Sequence, residues 1–374
     1  MTNAPEQDEA RAGALIGHLA AAGYPRHEPK LLQKASVFLD LSGEDIRGRL
    51  FLTSDAHGNE FCLRPEFTIP LCLDYLASPQ AGKPANFSCL GKVFRIRADA
   101  PSEFIQAGLE SFGRTDHAAA DAEILALSLE ATAAAGAPKL AVTLGDAGLF
   151  ARAVAALGVA PVWQRRILRG HARGQSLAAL LDVAGNMGGA DHSGVLAALE
   201  GADKPGARAL VQDLLSIAGI STVGGRSAGE IADRFLEQSA LKAGGGFPAD
   251  KRAVLEQFLA IGGEPDAALA QLRALAADAK LDLTAVLDEF DARLGFMTAH
   301  GIDVSALHFS TDFARKLDYY TGFVFEARDA AHPDAKPIIG GGRYDRLLAQ
   351  LNSGHEVPAV GAAIWMERLP ERAA

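Results

Sequence analysis

Cysteine is scarce in this chain: Cys62, Cys72 and Cys89 are the three in 374 residues. So few thiols in a chain of this length do not form a disulfide framework, and free buried thiols in a reducing compartment are expected. Long apolar runs are also missing. The best stretch, residues 140–163, is broken by Asp146 and Arg152, so no membrane span is expected. The N-terminal MTNAPEQDEARAG is polar and has no apolar core of a secretion signal, which points to the cytoplasm. Ten histidines are scattered, none at ligand spacing with a cysteine or carboxylate, so neither a metal nor another cofactor is expected. No short-period repeat stands out. Basic charge is in deficit, with a formal net charge of −10. That disfavours nonspecific nucleic-acid binding, which runs on phosphate neutralisation.

What is present is ordinary for a globular protein: 49% apolar and 22% charged residues, and enough length for two or three domains. The most informative stretch is residues 338–369, IIGGGRYDRLLAQLNSGHEVPAVGAAIWMERL. Its pattern predicts strand, glycine turn, helix, loop, strand and helix. Glycines 340–342 either form a tight turn or let a backbone or ligand come close. Arg368 follows a strand of small residues and starts a helix. It is either a solvated charge beside Glu367 or a planar cation aimed at the sheet end, where a phosphate or carboxylate would sit.

Upstream, residues 8–22 have helical spacing and stop at Gly23-Tyr24-Pro25. A second helix is predicted from His27, with Pro29 in its first turn. Residues 49–64 predict a hairpin around Ala56-His57-Gly58-Asn59. Glu66 and Thr68 follow it. They can accept from an ammonium group or cap the next helix. In KVFRIRADAPSEFIQAGLESFG (92–113), alternation places Arg95 and Arg97 on one face. The next strand puts Phe104, Gln106, Gly108, Glu110 and Phe112 together, with Gln106 and Glu110 about 13 Å apart and an empty slot at Gly108. This face is either a pocket floor for a small zwitterion or a solvent-facing sheet side. Residues 118–136 read as a helix and 139–144 as a strand. Residues 149–299 read as an Ala/Leu-rich helical insertion whose basic cluster (Arg165, Arg166, Arg169, His171, Arg173) suits a solvated face or a partner contact. Strand character returns at 306–328, where Tyr319 and Tyr320 follow an aspartate. They are two sheet tyrosines, or one packs while the other offers its hydroxyl to a pocket.

In this order, the segments resemble the catalytic core of class II aminoacyl-tRNA synthetases of the histidyl type. Pro29 falls at the dimer-interface proline of the first motif. LRPEFT (63–68) resembles the amino-acid-binding LRPE-x-T, and VFRIR…EFIQAGLESFG resembles the second motif. RKLDYYTGFVFE (315–326) resembles the histidine-specific RGLDYYTGTVFE, and GGGRYDRLL with AVGAAIWMERL resembles the third motif. The match covers residues 10–148 and 300–370. It implies an α+β fold: an antiparallel sheet flanked by helices, in two core parts (1–148 and 300–374) around a helical insertion (149–299), without an anticodon-binding domain. It also implies a histidine pocket. Glu66, Thr68 and Gln106 would hold the α-ammonium, and Arg95 and Arg315 would face the carboxylate or, in the synthetases, the α-phosphate. Glu110 and Tyr320 would bracket the imidazole, with Tyr319 and Tyr344 nearby.

The departures are as informative. The second-motif loop, residues 98–102, has no arginine where the synthetases grip ATP phosphates; Arg97 replaces an acid and Lys316 a glycine. Histidyl-synthetase-like chains with these losses resemble the regulatory subunits of ATP phosphoribosyltransferase. Such a chain is expected to have no catalytic residues. It would assemble as a homodimer through its core within a larger hetero-oligomer, activate a short catalytic subunit and help histidine control the first step of histidine biosynthesis. L-Histidine would be its ligand; no tRNA would bind. The competing expectation is a truncated synthetase-like enzyme that still adenylates histidine.

Overall fold

Alternating and small-residue segments far apart in the chain assemble into one eight-stranded sheet in the computed structural model. It describes residues 4–42, 44–98, 100–182, 246–313, 319–354 and 356–369, with 209, 213, 217, 222–223 and 226–227. Two compact units are present, 1–153 with 257–374, and 154–256. The expected insertion, 149–299, is therefore divided: residues 257–299 lie in the larger unit.

Helix α1 (Ala4–Ala21) ends before Gly23, whose φ of 89° carries the chain out of the helix. Strands β1 (Leu32–Lys34), β2 (Leu52–Ser54) and β3 (Glu60–Leu63), with helix α2 (Ala35–Ser42) between the first two, form a small antiparallel sheet in the order β1-β3-β2. The predicted hairpin is β2–β3, pinned where Asp55 Oδ1 accepts from the backbone of His57 and Asn59, both at 2.9 Å. The helix expected from His27 does not form. Strand pairing of Leu32 with Leu63 takes that chain, and the Arg64 guanidinium donates to the carbonyls of Pro29 and Lys92, at 2.5 and 3.0 Å. Side-chain donors thus satisfy backbone that a helix would have used.

Then come α3 (Thr68–Leu76), β4 (Ala85–Phe94), β5 (Glu103–Phe112), α4 (His117–Ala134), β6 (Leu140–Asp146) and α5 (Ala147–Ala156). The smaller unit holds α6 (Pro161–Ala172), α7 (Leu177–Leu181) and the short pair β7 (Thr222–Val223) and β8 (Arg226–Ser227). There Trp163 meets Phe247 edge-on, and Arg166 Nε donates to the Leu180 carbonyl at 2.6 Å, so this member of the basic cluster ties α6 to α7.

Helix α8 (Ala249–Leu259), β9 (Gly262–Gly263), α9 (Pro265–Asp278), α10 (Thr284–Ala299), β10 (His308–Ser310), β11 (Phe323–Asp329), β12 (Ile339–Arg343) and β13 (Ala359–Trp365) complete the chain. The large sheet runs β4-β5-β13-β12-β11-β6-β10-β9. Its pairs are antiparallel except β6–β10, which is parallel, so the antiparallel sheet expected is mixed at one place. Helix α4 lies against β5, β12 and β13, and α10 packs on α4. Phe67, Ile69, Cys72, Tyr75, Cys89, Phe112 and Leu347 share one core cluster, and all three cysteines are free and buried.

The three glycines do not make the predicted turn; they lie inside β12, buried. Space explains them: a Cβ on Gly341 would sit 2.4 Å from the Gly361 carbonyl oxygen and 2.7 Å from the Phe325 ring. Among the described residues, no helix is long and apolar enough to cross a membrane.

Candidate ligand pocket

The face predicted for β5 exists, and Phe104, Gln106, Gly108, Glu110 and Phe112 on it are all buried. Glu110 is its centre. Opposite it in the register is Gly361, where a Cβ would come within 1.5 Å of Glu110 Oε2. Only glycine there lets the carboxyl lie across β13. Thr68 Oγ1 donates to one carboxyl oxygen at 2.6 Å, and the Tyr344 hydroxyl donates to the other. Burial raises the Glu110 pKa to about 8, against the lowering effect of the two hydroxyls; nearby Glu66 pushes it further up.

Glu66 caps α3: its oxygens accept from the backbone N–H of Thr68 at 2.7 Å and of Ile69 at 3.0 Å. Burial raises its pKa, and those two N–H donors oppose the rise. Arg95 lies just past β4, with its guanidinium 5.0 Å from the Phe104 ring centre. Its Nε is buried without a hydrogen-bond partner. Burial lowers its pKa, and the Glu66 charge works the other way. Tyr319 closes the group, 4.8 Å from Tyr320 and 5.8 Å edge-on from Tyr344, ring centre to ring centre.

Glu66, Thr68, Glu110, Tyr319, Tyr320 and Tyr344 thus come together from four segments, with Arg95 beside them. Gln106 shares the Glu110 face, opposite Trp365. Arg315 lies outside the described residues. Two expectations need correction. The slot at Gly108 is filled, since a Cβ there would be 2.8 Å from the Ala362 carbonyl oxygen and 3.1 Å from the Cys89 sulfur. Arg368 does not aim at an anion: it donates to the Pro337 carbonyl and lies over Trp365, 4.3 Å from the ring centre. Arg97 is also committed, to both oxygens of Glu367 at 2.7 and 3.0 Å.

A buried ion network escaped the sequence. Asp121 accepts from Arg293 Nε at 3.0 Å and from Arg343 Nη2 at 2.6 Å; Asp146 accepts from Arg293 Nη1 at 2.9 Å. Burial works against both arginine charges, but the carboxylates outweigh it and raise their pKa values. Asp121 and Arg293 are 172 positions apart, so no local spacing could have paired them. A cavity of about 410 Å³ opens beside this network, lined in part by His117, Arg152, Asp282 and Glu289, apart from the Glu110 cluster. Among the described residues, no cluster of three or more His, Cys, Asp or Glu side chains could hold a metal ion.

Chemically, the Glu110 cluster offers a carboxyl, hydroxyls and three aromatic rings to a small ring with an N–H, and carboxylate and cation to a zwitterionic backbone. The fold and this cluster define a class: a class II synthetase-like protein of the histidyl type. A family model described as histidyl-tRNA synthetase matches residues 3–369. A solved structure described as an ATP phosphoribosyltransferase regulatory subunit/histidyl-tRNA synthetase from Bacillus halodurans superposes with a TM-score of 0.67. It is 20% identical, over 98% of this chain and 80% of that one. Histidyl-tRNA synthetase from Nostoc sp. PCC 7120 superposes with a TM-score of 0.65 at 18% identity, over 98% and 71%. Among curated proteins, the ATP phosphoribosyltransferase regulatory subunits of Brucella canis and Brucella suis are each 44% identical over 347 residues, 91% of both chains. The chain belongs to this histidyl-tRNA-synthetase-like family of ATP phosphoribosyltransferase regulatory subunits.

Proposed function

We propose that the chain has no catalysis of its own, that it is needed for the activity of a short ATP phosphoribosyltransferase catalytic subunit, and that it carries histidine feedback to that subunit. L-Histidine occupies the Glu110 pocket. Its α-ammonium meets Glu66, Thr68 and Gln106, its carboxylate meets Arg95 and Arg315, and its imidazole lies between Glu110 and Tyr320 with Tyr319 and Tyr344 as walls. The chain works as a homodimer inside the hetero-oligomer.

The observation that supports this reading is the buried Glu110 with two hydroxyl donors, in a chain where other arginines of the motifs are committed elsewhere. Arg97 is paired with Glu367, Arg368 with a backbone carbonyl, and the 98–102 loop has no arginine. Adenylation needs free cations on a triphosphate, and each missing donor costs about 3 kcal/mol at the transition state. An amino acid needs far less. Its occupancy can bias two states of an assembly by differential affinity.

The test is reconstitution with a short catalytic subunit, following phosphoribosyl transfer to ATP. Transfer should depend on this chain, and the chain alone should not catalyse histidine-dependent ATP–pyrophosphate exchange. Brisk exchange would favour the truncated synthetase-like enzyme.

A further inference from the structure

Glu66 and Glu110 are close enough to feel each other's charge but have unlike surroundings. Glu66 has both oxygens on backbone N–H groups, donors that do not titrate. Glu110 has only the hydroxyls of Thr68 and Tyr344, and each of these can rotate its O–H and accept instead. Among the described residues, no Lys, Arg or His is paired with Glu110. The groups around it carry little positive charge. From α3 comes the Cys72 thiol and from β4 the Cys89 thiol, both kept protonated by burial. From beyond β12 comes the Tyr344 phenol, also kept protonated. Glu66 adds negative charge, and the nearby cation, Arg95, lies against Glu66 and Tyr319. On the β13 side, Gly361 presents no side chain at all.

Resting on the histidine pocket argued above, we propose that Glu110 and the imidazole of the bound ligand share a single proton, so that histidine affinity has an acid limit and an alkaline limit. In the empty pocket, the proton is on Glu110, because burial holds the carboxyl neutral up to a pH of about 8. Free imidazole is unprotonated above about pH 6.5. On binding, the Glu110 O–H bond gives way to an N–H bond on the ring, or the proton stays between the two atoms. The Thr68 and Tyr344 hydroxyls donate to the carboxylate that results. One proton enters the pair and one remains, so binding exchanges none with solvent in the window between the two pKa values. Above that window, Glu110 has lost its proton and binding must draw one from water. Below it, the ring brings a second proton that must leave. Affinity falls about tenfold per pH unit on each side.

The experiment is titration calorimetry of the full chain with L-histidine from about pH 5.5 to about pH 9, in buffers of different ionisation enthalpy. The expected result is no proton exchange near pH 7 and, near pH 9, close to one proton more taken up, and about tenfold more affinity lost, than in Glu110→Gln. Glu110→Gln cannot titrate, so it should keep the acid limit and lose most of the alkaline one. The histidine α-ammonium titrates alike against both chains and drops out of that comparison. Tyr344→Phe removes a donor to the carboxylate and should move the alkaline limit to higher pH. Parallel profiles for wild type and Glu110→Gln, with equal proton uptake at alkaline pH, would overturn proton sharing and leave the pocket standing. No binding heat at any pH would overturn the pocket itself. If the glutamine variant does not fold, Tyr344→Phe decides: an alkaline limit that stays where it is in the wild-type chain would overturn proton sharing.

Discussion

At the scale of single residues, Glu110 and Gly361 are one device. The carboxyl lies where a side chain on β13 would otherwise be. Gly361→Ala should displace Glu110, weaken histidine binding at least about tenfold and cost roughly 1–3 kcal/mol of stability through overpacking. Calorimetry with histidine, alongside thermal unfolding, checks both effects. Glu110 also makes stability depend on pH. Its folded pKa of about 8 is above the unfolded glutamate value, so the native state holds a proton that the unfolded chain has lost. Stability from this group is therefore highest near and below the unfolded pKa and falls as pH rises toward the folded one, at up to about 1.4 kcal/mol per pH unit. Glu110→Gln should flatten that decline, as followed by denaturant unfolding between about pH 5 and about pH 8. Equal slopes in both chains would contradict it. The buried face of β5 was legible at this scale because alternation alone puts Gln106 and Glu110 together. Capping by Glu66 and ammonium binding by Glu66 were rival readings from sequence. The structure shows the cap: both Glu66 oxygens accept from N–H groups at the start of α3.

At the scale of elements, hydrophobic period predicted the strands and failed where contacts from elsewhere in the chain decided the outcome. Glycines 340–342 look like a turn because turns are their commonest use, yet they belong to β12, squeezed between β11 and β13. Residues 27–33 look helical, but Arg64 and β3 claim them. That claim is testable. Arg64→Met should leave the Pro29 and Lys92 carbonyls without their side-chain donor and destabilise the fold by about 2–3 kcal/mol. Amide hydrogen exchange should rise first in residues 27–34; unchanged exchange there would show that strand pairing alone holds the segment. Arg293 and Asp121, which join α10 to α4, were illegible for a different reason. Burying a paired charge needs no local pattern, only a partner that the fold brings near.

At the scale of the whole molecule, the chain has the family's fold and a tyrosine hydroxyl on a buried carboxyl, while Arg97 and Arg368 are tied to Glu367 and to the Pro337 carbonyl and residues 98–102 hold no arginine. The ordered set of motifs made the family legible where no single motif could. Such a molecule can sense an amino acid without activating it, provided that occupancy is felt by a partner. The most direct measurement is a histidine titration of phosphoribosyl transfer by the reconstituted complex, comparing this chain with its Glu110→Ala variant as the ratio of rates with and without histidine. Histidine should inhibit with the wild-type chain, and the half-inhibiting concentration should be at least about tenfold higher with the variant. The same inhibition curve for both chains would place the sensor elsewhere and contradict that expectation.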